Sequence, residues 1–287
     1  MRNHQRILAL IMLLILPTVW GCAAAAVLPV AGIATTGVTK AVQASREITD
    51  SEEYYLGRAV AARILTQYPL YQNHQITTYV NEVGQTVARK SSRPETFRGY
   101  HFAVLDTDEI NAFACPGGTI FITRGLLNSC ATEDQLAAVL AHEVAHVANK
   151  DGVNSISKAR WTEVWTAMGA EAVRQYGGVA GNLINLFEGS IDDVFKTLVV
   201  NGYSRTAEMA ADAGAVDTLT KAGYNPQALA DLLEQMMARG KSGSGGIFTT
   251  HPPTSDRLAQ VKAMIKEAPT SSAEAKRTNR FKKIVQL

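Results

Sequence analysis

The sequence predicts an α+β fold, a mainly helical domain with a small antiparallel sheet whose edge strand borders a cleft. Three observations carry that expectation. Apolar residues recur at three- and four-residue spacing through residues 52–90, 133–148 and 204–239, the period of helices packed on one face. Residues 99–123 change instead to β-branched and aromatic runs broken by Pro116-Gly117-Gly118, the pattern of strands joined by a tight turn. The helix at 133–148 sets two histidines and a glutamate within an apolar stripe, and a buried helix must find partners for such groups.

Taken in order, the first 21 residues have a basic start (Arg2, His4, Arg6), an apolar run from Ile7 to Leu16, and the helix-breaking Pro17. This is the layout of a secretory signal peptide, and the run is short for a mature membrane span. Gly21-Cys22 resembles a bacterial lipoprotein signal, which implies lipidation of Cys22 as the mature N-terminus. Ala23 after it, by the same resemblance, points to the periplasmic face of the outer membrane of a Gram-negative bacterium. Residues 22–44 then form a lipidated tether, 45–268 the folded domain, and 269–287 a basic tail, ordinarily solvated, with phospholipid contact as the alternative. Setting aside Arg2 and Arg6 leaves 26 of the 28 basic residues against 26 acidic ones, so a neutral mature chain offers no argument for nucleic acid.

Within the domain, Glu52–Gln67 and Gln75–Lys90 read as two helices separated by Pro69. His101–Leu105 reads as a strand, followed by a polar turn at Asp106–Glu109 and a hairpin over Asn111–Thr123. Proline inside such a run favours an edge strand, here Asn111, Ala112, Phe113 and Ala114, to which an extended peptide can add, an ordinary hairpin being the alternative. Helix 133–148 ends near Gly152, Val153–Arg174 reads as helical, and the glycine-rich apolar stretch Tyr176–Ser190 reads as an insert near the cleft, a lid or a membrane-contacting helix. Ser204 caps a helix to Ala222 stopped by Gly223, Asn225-Pro226 opens the next, and a Gly/Ser loop leads to His251-Pro252-Pro253 and a last helix to Lys266. With Cys22 lipidated, Cys115 and Cys130 remain, and in an oxidising compartment an even pair reads as a disulfide, two buried free thiols being the alternative.

The chemistry centres on His142-Glu143-Val144-Ala145-His146. Histidines four apart project from one helix face and can chelate one zinc ion, while the intervening glutamate can serve as general base toward a metal-bound water. Downstream, Glu208-Met-Ala-Ala-Asp212 places two acids four apart on an apolar helix, where burial without a cation is costly. Glu208 can supply a third metal ligand, and Asp212 can orient a ligand imidazole.

His142–His146, Glu208–Asp212 and His251-Pro252, with Asn111-Ala-Phe-Ala and Phe121-Ile-Thr-Arg-Gly-Leu-Leu127, resemble the gluzincin metalloprotease family of HtpX and the CAAX prenyl protease. Within it the chain is similar to the periplasmic lipoprotein branch of the beta-barrel assembly-enhancing protease, without that branch's helical repeats. The resemblance implies a zincin-like fold with one Zn2+ per chain, held by His142, His146 and Glu208, Glu143 as general base and Asp212 behind a ligand. It implies for His251 a place near the active centre, stabilising the oxyanion or occupying the open metal position, with Tyr203 as another candidate donor. The activity implied is endopeptidase action on extended, unfolded or misassembled envelope polypeptides, with envelope assembly machinery as a candidate partner. The alternative is a protease-like lipoprotein acting as a chaperone or binding module.

Overall fold

The computed structural model describes residues 48–156, 189–240, 246–265 and 272–285, all within one compact unit formed by Ile48–Arg160 and Ile184–Leu287. The expected signal peptide, the tether with Cys22, most of the helix expected over Val153–Arg174 and nearly all of the Tyr176–Ser190 insert lie outside the described residues. Among the described residues no helix is long and apolar enough to cross a membrane.

Helix α1 (Asp50–Gln67) starts at a capping box, in which Thr49 accepts from the Glu52 N–H and Glu52 reaches back to the Thr49 N–H. Helix α2 (His74–Ala88), capped by Asn73, buries Ile76, Tyr79, Val80, Val83 and Val87 along one stripe. Three strands follow: β1 (His101–Leu105), β2 (Ala112–Cys115) and β3 (Thr119–Thr123). The mainly helical α+β class holds, but the sheet is mixed. Its order is β1-β3-β2, with β2 antiparallel to β3 and β1 parallel to it. The turn Pro116–Gly118 returns β3 alongside β2, so β3's other edge is left for β1; Phe102 of β1 packs where α2 has only Gly84.

A short α3 (Arg124–Ser129) leads to α4 (Glu133–Ala148), capped by Thr132. Every residue of α4 from Glu133 to Val147 is buried, so this helix is the axis of the core rather than an amphipathic surface element. One turn of helix, α5 (Asp151–Asn154), follows Lys150, which takes the left-handed conformation. The next described residues form a helix over 189–196 and a π turn, Thr197–Asn201. Helix α6 (Arg205–Ala222), capped by Ser204 and ended by Gly223 at φ 77°, packs along α4. Gly214 makes this approach close, since a Cβ there would come within 3.0 Å of the Ala145 methyl.

Helix α7 (Gln227–Gly240), the single turn α8 (Ile247–Thr250), α9 (Ser255–Met264) and α10 (Ser272–Val285) complete the unit. The last of these corrects the expectation of a solvated basic tail. Phe281 and Val285 of α10 are buried in the core, Arg280 and Arg277 reach the buried carboxylates of Glu133 and Asp134, and Tyr79 and Tyr224 donate to the same Glu133. The expected disulfide is also corrected. Cys115 and Cys130 are buried free thiols in separate surroundings, Cys115 in β2 near Glu143 and Cys130 capping α3 with its Sγ donating to the Leu126 carbonyl at 3.4 Å. Burial pushes both thiols up, that of Cys130 to about 12.

Candidate metal centre

The four-residue spacing on α4 brings the two histidines together as the sequence predicts. Their Nε2 atoms are 3.1 Å apart. Because α6 lies close against α4, Glu208 reaches both, its carboxylate oxygens 3.4 Å from His142 Nε2 and 3.3 Å from His146 Nε2. His251, delivered by α8, sets Nδ1 2.9 Å from Glu208 Oε1 and 3.4 Å from His142 Nε2. One ligand atom from each of His142, His146, Glu208 and His251 thus lies within 4.8 Å of the others, all buried. A tetrahedron with bonds of about 2.0–2.1 Å places its donors about 3.3 Å apart. The observed separations fit zinc held by three imidazoles and a carboxylate, with His251, expected either to stabilise the oxyanion or to occupy the open metal position, as the fourth donor.

A second tier of side chains aims these donors. Asp212 Oδ1 stands 3.0 Å from His142 Nδ1, as expected, and Asp151 Oδ2 stands 2.7 Å from His146 Nδ1. Each carboxylate favours the tautomer that leaves Nε2 free to bind metal. Burial alone would lower the His142 imidazole, but hydrogen bonding to Asp212 and Glu208 outweighs it and pushes His142 up to about 10. Burial likewise opposes the ionised form of Glu208, yet the charge of His251 and hydrogen bonds from His142 and His146 hold its carboxyl far below the usual range.

Asp151 and Arg257 were missed in the sequence. Arg257 of α9 is almost fully buried and donates from Nε and NH2 to Asp212 at 2.7 and 2.8 Å. Its NH1 lies 2.7 Å from Glu208 Oε2 and donates to the Pro252 carbonyl at 3.1 Å. One guanidinium therefore braces both acids of α6 and the loop that carries His251. The available signal was the demand of two buried carboxylates for more cation than the metal alone provides.

Glu143 lies beside this cluster, its Oε1 3.7 Å from His251 Nε2 and its buried Oε2 without a hydrogen-bond partner among the described residues. An unpaired carboxylate oxygen next to four converging metal donors is the arrangement a general base needs. The expected substrate edge is β2, which among the described residues pairs on one side only. The Thr123 N–H donates to the Asn111 carbonyl at 3.0 Å, and the antiparallel alternation turns Phe113 and Cys115 toward β3 and the backbone groups of Ala112 and Ala114 outward. All four strand residues are buried, with the π turn and α1 packed against the strand. Asn111 itself precedes β2; its Oδ1 accepts from the Ala112 N–H at 2.9 Å and from Thr250 Oγ1 at 3.1 Å, tying the edge to the loop before His251.

An HExxH helix meeting a carboxylate from a following helix defines a gluzincin-type metallopeptidase. The chain belongs to peptidase family M48, whose family model matches residues 74–265. It is 27% identical over 230 residues to the beta-barrel assembly-enhancing protease of Escherichia coli K12, covering 76% of this chain and 45% of that protein. To the mitochondrial metalloendopeptidase OMA1 of Schizosaccharomyces pombe it is 30% identical over 197 residues, 68% of this chain and 55% of that one. To the metalloprotease LoiP of E. coli K12 it is 25% identical over 189 residues, 66% and 68% of the respective chains. The chain thus spans about half the length of the first two relatives.

Proposed function

We propose that this metallopeptidase is a zinc-dependent endopeptidase of the bacterial cell envelope. In this reading it is lipid-anchored through Cys22 at the periplasmic face of the outer membrane and hydrolyses unfolded or misassembled polypeptides. The observation that carries the catalytic part is the convergence of His142, His146, Glu208 and His251 beside the unpartnered carboxylate oxygen of Glu143. The envelope setting rests on the layout of residues 1–22 and on likeness to a protease named for beta-barrel assembly, which also suggests assembly machinery as a partner.

Bound zinc would supply Lewis acidity and bring the pKa of water toward about 7. Glu143 takes the proton of the attacking water and passes it to the leaving amine. Asp212 and Asp151 keep the two α4 histidines oriented, and Arg257 keeps Glu208 in place. His251, carried by a loop rather than by a core helix, would be the donor able to yield its place so that the bound group could activate water. The outward groups of Ala112 and Ala114 receive the substrate backbone as an added strand.

Metal analysis and a Glu143→Gln variant test the reading together. One zinc per chain is expected in both proteins, with cleavage of an unfolded polypeptide lower by about 10²–10⁴-fold in the variant. Equal cleavage by the two proteins would sink the catalytic assignment and leave a binding module. Mass spectrometry of the mature N-terminus tests the anchor, since an unmodified Cys22 contradicts it.

A further inference from the structure

We propose that the start of α1 and the loop before β1 form a phospholipid-docking face, in which Tyr54, Tyr55 and Phe97 enter the bilayer surface and Arg58 and Arg98 meet its phosphates. The proposal rests on the lipid anchor at Cys22 and goes beyond it, since an anchor alone fixes no orientation. Tyr55 and Phe97 are 54% and 45% exposed. Their rings and that of half-buried Tyr54 touch one another, with centroids 5.4 Å apart for Tyr54 and Tyr55, 5.6 Å for Tyr54 and Phe97, and 6.5 Å for Tyr55 and Phe97. Apolar side chains exposed singly are ordinary, whereas contiguous aromatic rings on one surface mark a contact site. Exposed Arg58 stands 6.0 Å from the Tyr54 ring centroid, and exposed Arg98 stands 5.4 Å from that of Phe97.

Charge and position select phospholipid as the partner. The acids at the start of α1 are already paired: Glu52 closes the capping box, Asp50 meets Arg93 and Lys150, and buried Glu53 meets Arg93. In the loop, Glu95 is the exposed acid against exposed Arg89, Lys90 and Arg98. Aromatic rings with guanidinium groups at their margin suit the boundary between acyl chains and anionic headgroups. Residues 23–47 separate Cys22 from Ile48, a reach of at most about 90 Å, and α1 begins two residues further on. The chain from the anchor thus enters the domain one turn before Tyr54. In the basic tail, by contrast, Arg277 and Arg280 are engaged with Asp134 and Glu133. The face is also joined to the proposed substrate strand. A Cβ on Gly117 would come within 2.6 Å of Tyr54 Cα, and one on Gly57 would overlap the Pro116 carbonyl, so α1 lies directly on the turn that follows β2. Docking this face therefore sets the angle at which β2 and the metal centre stand to the bilayer.

The test uses the full mature chain, its Cys22 checked by mass spectrometry, on vesicles of phosphatidylethanolamine and phosphatidylglycerol. A nitroxide is attached at Glu95→Cys, which keeps all three rings, and in a second protein at Lys262→Cys on α9, which packs against α6 and α7. Cys115 and Cys130 are buried and do not take the label. Collisional access to oxygen and to a nickel chelate reports depth. The label at 95 should lie about 5–10 Å inside the headgroup boundary, and that at 262 in water. Adding Tyr55→Gln and Phe97→Gln should return the first label to water while the melting temperature stays close to the parent's. A label at 95 that remains in water on vesicles overturns the proposal, and one shielded instead by an added unfolded polypeptide assigns the face to substrate. Equal depth at both sites, or insertion that survives the double substitution, overturns it as well. An unmodified Cys22 overturns this proposal together with the anchor, whereas a lipidated chain with its label in water overturns the docking face alone.

Discussion

Replacing Arg257 by methionine isolates the electrostatic contribution of the brace behind the metal centre. The substitution keeps an unbranched apolar stem and removes the guanidinium, leaving Asp212 with His142 alone and Glu208 with the three imidazoles. Both acids are buried, so little solvent can replace the lost cation. Breaking a buried ion pair by deleting one partner costs about 3–5 kcal/mol. At about 2–4 °C per kcal/mol for a domain of this size, metal-free protein should melt roughly 6–20 °C lower. With zinc bound, Glu208 recovers a cation, so the loss should be smaller, while zinc affinity drops about 10–100-fold because the supports of two ligands are loosened. Arg257→Lys restores charge but not the bidentate fork and should recover only part of either quantity. Calorimetric melting with and without zinc, and competition with a chelator, measure both. A metal-free loss below about 1 kcal/mol together with unchanged zinc affinity would refute the reasoning.

Other perturbations follow from the same geometry. His142 is raised in the fold, to about 10, so metal-free stability from this group is fully present below the unfolded value near 6.5 and is lost as pH rises through 10. Burial opposes ionised Asp212, but hydrogen bonds from Arg257 and His142 hold it below the usual carboxylate range, so its contribution is lost as pH falls below about 4. Metal-free melting should therefore peak between these limits, and zinc uptake at pH 7 should release a proton, measurable by calorimetry in buffers of different ionisation enthalpy; no release contradicts the assignment. Phe281→Ala should cost about 3–5 kcal/mol, because α10 is part of the core, and an unchanged melting temperature would return it to the status of a tail. The unfolded, unreduced chain should show thiols at both Cys115 and Cys130, neither reactive in the native state, and their absence would restore the disulfide.

The elements legible in the sequence were those whose signal is local and periodic. His142 and His146 share a helix face, as do Glu208 and Asp212, so a four-residue spacing announces each pair before the fold is known. The Ser204 cap, the Gly223 stop and the turn at Pro116–Gly118 are also where local chemistry places them. What escaped was set by contacts distant in sequence. Arg257 sits in the polar run Ser255-Asp256-Arg257 and looks solvated until α9 is laid against α6. The parallel pairing of β1 depends on β2 occupying the far edge of β3, which no property of residues 101–105 specifies. The docked C-terminal helix did carry a signal, Phe281 and Val285 four apart with Ile284 between them, but the surrounding lysines and arginines suggested a solvated run.

These distant contacts also explain how a helix bearing two histidines and a glutamate is held rigid while wholly buried. At its N-terminal end α4 is gripped by Arg280 and Arg277, paired with Glu133 and Asp134. At its C-terminal end Arg93 donates to the Val147 carbonyl at 3.3 Å and to both oxygens of the fully buried Glu53, whose Oε1 also accepts the Gly117 N–H at 3.0 Å. Arg93 and Glu53 thus fix the end of the metal-bearing helix and the turn after β2 to the same point on α1. A shift of α1 would move Glu143 and β2 together, preserving the spacing that the proposed hydrolysis would depend on. The third component, His251, is tied to that edge through Thr250 and Asn111 rather than to α4. A peptide carbonyl that takes the Ala112 N–H must displace Asn111 Oδ1, and with it the contact that holds Thr250 beside His251. If β2 takes substrate as proposed above, docking there and release of His251 would be joined by these two hydrogen bonds.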